Sequence, residues 1–238
     1  MSRSNPTTSQ NPASIFYEWD GDKGHVRYYD KEKGENVVVK LPFQFLLLDQ
    51  VSRIGGYSES QQAGFYSNEV KNINDEVLTV KTHGGGVVAQ GLYRDIKDSI
   101  KSKGAKFVAS LYIAVKQSGN IGDLVIQNFQ MKGAALSGWM DFCKQAKGDI
   151  WQKAIIIDGM VEGKKGNVTY QTPTFKLNDV SDETNEKATE LDKELQRYLN
   201  ENITHSEVEK VSKGETGGSA YSEPEATDSA DEDDKLPF

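Results

Sequence analysis

Lys106-Phe107-Val108-Ala109-Ser110-Leu111-Tyr112-Ile113-Ala114-Val115-Lys116 alternates more cleanly than any other stretch of this chain. Phe107, Ala109, Leu111, Ile113 and Val115 make one apolar face. Lys106, Val108, Ser110, Tyr112, Ala114 and Lys116 make the other, which begins and ends on lysine. A period of two over eleven residues marks a strand with one face on a core, and the lysine-bearing face is expected to look outward.

The neighbouring segments follow from the same test. Upstream, Leu92, Ile96 and Ile100 recur every four residues, a short amphipathic helix stopped by Gly104. Before it, residues 76–83 read as a strand that turns at Gly84-Gly85-Gly86. Residues 36–48 alternate again, with Val37, Val39, Leu41, Phe43, Phe45 and Leu47 on one face and Pro42 marking an edge or bulge. Residues 15–20 and 25–30 form a hairpin across Gly-Asp-Lys-Gly. Downstream come a strand at 124–131 and a helix at 134–146, the latter from the spacing of Leu136, Trp139, Met140 and Cys143. A closing hairpin at 154–161 and 168–177 ends the run. Trp139, Phe142, Phe43 and Phe107 sit on apolar stripes and are expected in the core.

The chain is therefore mostly β, and strands, one short helix, then strands is the order of a five-stranded OB-type barrel with additional hairpins. An SH3-like barrel or a sandwich shares many of these features. Four regions are expected: a disordered N-terminus at 1–12, the barrel at 13–178, a helix at 179–205 and a disordered acidic tail at 206–238. The helix is amphipathic, with Ala188, Leu191, Leu195, Tyr198 and Leu199 in one stripe.

Charge divides along the same lines. The 238-residue chain has a net charge of −8. Residues 1–178 hold 22 Lys and Arg against 18 Asp and Glu, and residues 179–238 hold 6 against 18. A mildly basic body thus carries a strongly acidic tail, a pattern common in interaction segments. Cys143 is the only cysteine, which excludes an internal disulfide framework and fits a reducing compartment. The first residues carry no apolar signal-peptide core and no apolar run approaches the ~20 residues that span a bilayer, so a cytoplasmic protein without membrane contact is expected.

The tail ends in Asp231-Glu232-Asp233-Asp234-Lys235-Leu236-Pro237-Phe238. A terminal ring beside the chain carboxylate, after an acidic cluster, offers a negative group and an apolar anchor together. A shallow apolar pocket rimmed by Lys or Arg would take it. This tip resembles the acidic, Pro-Phe-ending tail of bacterial single-stranded DNA-binding proteins and several phage counterparts. In that family the tail docks replication and repair proteins; here Lys235 interrupts the acidic run.

The body is also similar to phage-encoded single-stranded DNA-binding proteins over roughly residues 40–145. The likeness lies in Phe45-Leu46-Leu47-Leu48-Asp49, Ile54-Gly55-Gly56-Tyr57, Tyr66-Ser67-Asn68-Glu69-Val70, Gly91-Leu92-Tyr93, Tyr112-Ile113-Ala114 and Lys132-Gly133-Ala134-Ala135-Leu136-Ser137. The resemblance implies an OB-fold and action in phage DNA replication, recombination or repair within the host bacterial cytoplasm. The implied partners are single-stranded DNA and, through the tail, replication or recombination proteins; self-association into a homo-oligomer stays open.

Binding single strands without sequence preference needs a basic groove and exposed rings for stacking. The residue types in place are Lys106, Tyr112 and Lys116 on the central strand, Thr79 and Lys81 on the strand before the glycine turn, and Tyr17, Trp19, Arg27 and Tyr29 on the first hairpin. Arg53 and Tyr57 lie in the Gly-rich segment after the long strand. Signals for catalysis are poor. Neither Gly-rich turn fits G-x-x-x-x-G-K-[ST], His25, His83 and His205 have no metal-ligand spacing, and Cys143 falls inside a helical apolar stripe. No catalytic residue, metal or cofactor is expected. The competing reading is a protein-interaction adaptor of the replication machinery with little intrinsic DNA binding; a nuclease subunit is more distant.

Overall fold

The computed structural model describes residues 10–58, 62–116 and 123–211, with side chains described as far as residue 202. The chain is mostly β. Its strands are β1 (Phe16–Asp20), β2 (His25–Asp30), β3 (Glu35–Val39), β4 (Phe43–Ser58), β5 (Ala63–Ser67), β6 (Leu78–Thr82), β7 (Val87–Gly91), β8 (Ala105–Lys116), β9 (Leu124–Met131), β10 (Ala154–Lys165) and β11 (Val168–Asn178). Among the described residues three α-helices accompany them: α1 (Tyr93–Lys101), α2 (Ala134–Ala146) and α3 (Asp182–Val211). No helix among the described residues is long and apolar enough to cross a membrane.

β8 lies at the centre, between β9 and the sixteen-residue β4. The path runs β3-β2-β1-β9-β8-β4-β5-β6-β7, with β1 and β9 parallel. The β10–β11 hairpin joins through the free edge of β4, where Ile155 pairs with Phe45. The sheet is open. β3 and β7 end the path and no ladder joins them among the described residues, so the expected five-stranded barrel does not close.

The long strand expected at 36–48 is two strands. β3 stops at Val39, β4 starts at Phe43, and Pro42, which has no N–H for a ladder, lies in the gap. β4 then continues to Ser58, because a bulge at Leu48 lets it bend and keep its pairing with β8.

Between Phe107 and Val115 both faces of β8 are buried. The odd face enters the main core with Phe45, Ile54, Phe129 and Trp139. Phe43 and Phe107 belong to that core, and Phe142 packs against it, as their stripes imply. Between its two exposed lysines, Lys106 and Lys116, the even face does not look outward as expected. Tyr112 and Ala114 join Leu46, Leu48, Val51 and Ile126 in a second cluster, sealed by Ala188, Leu195 and Leu199 of α3. The helical stripe and the strand face are each amphipathic, and each supplies the apolar surface the other needs. Gln196 of α3 donates to Asp49 at 2.7 Å, and Lys71 pairs with Asp49 at 3.2 Å, which fixes the helix at its rim. Helix α3 extends past residue 205, where the sequence reading ended it. Asn11, in the segment expected to be disordered, donates its side-chain amide to the Tyr112 hydroxyl at 3.3 Å.

Candidate nucleic-acid interface

The even face of β8 continues beyond α3 toward the other end of the strand. Register assigns its members, because residues directly opposite across a ladder carry side chains on the same side. Lys106 pairs with Gly55, Gly55 with Tyr66, and Tyr66 with Lys81, which makes one row across β8, β4, β5 and β6. Three inter-strand steps put its two lysines roughly 14 Å apart along the sheet. Arg53 and Tyr57 flank Gly55 on β4 and share this face, as does Thr79 on β6. His83 follows Lys81 by two residues and stays in register, its N–H donating to the Gly64 carbonyl at 3.1 Å. The alternate residues Ile54, Phe65, Val80 and Phe107 point the other way, into the main core.

Lys106 and His83 are exposed, Tyr57 is 54% exposed, and Arg53, Tyr66 and Lys81 are half-buried. Among the described residues, the side chains of Arg53, Lys81 and Lys106 have no ion pair or hydrogen bond, and Arg53 Nε is buried without a partner. Tyr57 donates its hydroxyl to Gln62 at 3.2 Å, which leaves the ring standing at the face's edge. Gly84-Gly85-Gly86 close the β6–β7 hairpin beside it, with the Gly85 N–H on the Thr82 carbonyl at 2.8 Å.

Five of the sequence candidates, Arg53, Tyr57, Thr79, Lys81 and Lys106, thus share one face, although they come from three different strands. Tyr66 and His83 complete the face and were not singled out from sequence. The signal was present in the alternation Gly64-Phe65-Tyr66-Ser67, but it is legible only once Phe65 is known to point inward.

The remaining candidates lie elsewhere. Tyr112 is fully buried. Its hydroxyl donates to Glu69 at 2.7 Å, and burial first, then the Glu69 carboxylate, pushes that hydroxyl far above the usual tyrosine range. Ser110 also donates to Glu69, at 2.8 Å, and Asn128 donates to Ser110. The ring is a structural element under α3, not a stacking surface.

Tyr17 and Trp19 are likewise core residues. Tyr17 packs among Tyr28, Phe43 and Phe129, and burial with the nearby Tyr28 pushes its hydroxyl up to about 12. The Trp19 indole donates to the Gln171 carbonyl at 2.8 Å. Arg27 is neutralised by Glu18 and Asp20, both at 2.8 Å, and Lys132 holds Glu18 from its other side. Burial alone would raise the Glu18 carboxyl, but Lys132 and Arg27 hold it below the usual range.

Tyr29 is 58% exposed, but β1, β9 and β8 separate its strand from β4. Lys116 is exposed ten residues along β8 from Lys106, about 33 Å at strand rise. Burial pushes the Cys143 thiol up to about 12, so it stays protonated at neutral pH and is a poor nucleophile. The tip residues 231–238 lie outside the described residues.

No family model matches this chain, and neither a curated protein nor a solved structure matches it.

Proposed function

We propose that this chain is a non-catalytic single-stranded DNA-binding protein whose DNA lies across the row Lys106–Gly55–Tyr66–Lys81. One observation carries the reading: three cations without counter-ions among the described residues, Arg53, Lys81 and Lys106, share an outward sheet face with exposed aromatic rings. Cations beside rings suit a strand whose phosphates and bases are both accessible, whereas a duplex hides its base faces. The architecture is read as an unclosed variant of the OB-type arrangement. The long, bulged β4, which serves β8 on one edge and both β5 and β10 on the other, and the helix immediately before β8 support this reading.

The acidic tail is read as the recruiting segment for replication or recombination proteins in a bacterial cytoplasm infected by phage. Asp231, Glu232, Asp233 and Asp234 supply salt-dependent attraction, and Leu236, Pro237 and Phe238 the apolar anchor. Deleting Phe238 is expected to abolish capture of such a partner and to leave oligonucleotide affinity unchanged. Equal recovery of replication proteins by the intact and the deleted chain would reduce the tail to a solubilising segment.

Titrating labelled oligo-dT against duplex DNA at several salt concentrations tests the binding itself. Single strands are expected to bind more tightly than duplex. Three neutralised phosphates give a log–log salt slope of about −2, at roughly −0.7 each. Equal affinity for both forms, or binding indifferent to salt, would contradict the reading. No binding to either would leave the adaptor reading in its place.

A further inference from the structure

On the outward face, the imidazole of His83 lies against the backbone of β5 at Gly64. A β-carbon at position 64 would come within 2.7 Å of His83 Nε2, and closer still to Cδ2. Only glycine leaves the ring that space, and Gly64 needs no left-handed backbone, so its role here is room and not conformational freedom. The ring of Tyr66, next on the same face, stands 5.4 Å from His83 with the planes tilted by 32°. The His83 ring nitrogens have no hydrogen-bond partner among the described residues. Two neighbouring rings at a shallow angle, the outer one exposed, therefore lie beside Lys81, whose side chain has no partner among the described residues.

We propose that Tyr66 and His83 form a stacking platform for one base of a bound single strand, and that Gly64 positions it by leaving room for the imidazole against β5. This inference rests on the single-strand reading above. Lys81, in register with Tyr66, takes the phosphate on one side of that base, and Tyr57, in register with Gly64, borders the platform on the other. Every base has a π-face, so a platform of rings without hydrogen-bond readout accepts any sequence.

Gly64→Ala is the informative variant. It removes neither ring and leaves the backbone region accessible, and the atoms it meets belong to the far end of a side chain that can swing away. The full-length chain is measured by fluorescence anisotropy with labelled oligo-dT, and thermal melting checks the fold. Tyr66→Ala is expected to weaken binding about tenfold, within the range for loss of one stacked base. Tyr66→Phe keeps wild-type affinity. Gly64→Ala weakens binding several-fold, and photo-crosslinking of an iododeoxyuridine-substituted strand marks Tyr66 or His83. If Gly64→Ala and Tyr66→Ala bind as wild type while a variant lacking Arg53, Lys81 and Lys106 does not bind, the platform is wrong and the face stands. If that charge variant also binds as wild type, the single-strand reading falls with it.

Discussion

Tyr112→Ala is expected to destabilise the protein by about 3–5 kcal/mol, the range for truncating a large buried ring. The ring is fully enclosed between β8 and α3, so its removal leaves a cavity that neighbours on a sheet cannot close. Its hydroxyl also satisfies Glu69, and among the described residues the carboxylate would keep only Ser110 as a side-chain donor. Urea unfolding followed by tryptophan fluorescence measures the loss. Affinity for oligo-dT, taken where the variant is still folded, should stay at the wild-type value because Tyr112 does not reach the open face. A variant as stable as wild type but weakened in DNA binding would restore Tyr112 to the binding surface and contradict the packing of α3.

Replacing Arg53, Lys81 and Lys106 together by alanine is expected to lower single-strand affinity on the order of 100-fold. Each contact is taken as roughly 1 kcal/mol, the usual net contribution of one hydrogen bond, and every 1.4 kcal/mol is tenfold. The salt slope should flatten by about 2, since three phosphate contacts are lost at roughly 0.7 each. Stability should change little, because none of the three makes an ion pair among the described residues. A triple variant with unchanged affinity and slope would show that the phosphates lie elsewhere.

These two expectations exchange the roles first given to one strand face. Its alternation is real, and Phe107, Leu111 and Ile113 fall where the period puts them. What periodicity cannot supply is the partner of the second face. Val108, Tyr112 and Ala114 are as compatible with a wet surface as with a helix arriving from seventy residues downstream, and only tertiary packing decides. The stripe Ala188, Leu195 and Leu199 was visible, and so was the face it covers, but no local rule joins them. Tyr17 and Trp19 lie in the core for a similar reason: β1 reads as one strand of an exposed hairpin until β9 and the β10–β11 hairpin pack around it.

Helices and turns were more legible because their signals are local. α2 spans the residues that its apolar spacing gives, and the glycines after β6 close a hairpin as expected. Arg53 and Tyr57 were recognised by residue type, while their neighbourhood with Lys81 and Lys106 depends on cross-strand register, which a bulge at Leu48 resets.

The central claim is that single-stranded DNA occupies the face shared by Lys106, Arg53 and Lys81. Lysine acetylation footprinting of the full chain, with and without saturating oligo-dT and read by mass spectrometry, tests it most directly. Lys81 and Lys106 are expected to be protected, while Lys31, Lys116, Lys164 and Lys165 remain as reactive as in the free protein. Protection of Lys164 and Lys165 on the β10–β11 hairpin, or of Lys31 and Lys116, with Lys81 and Lys106 still reactive, would contradict the account.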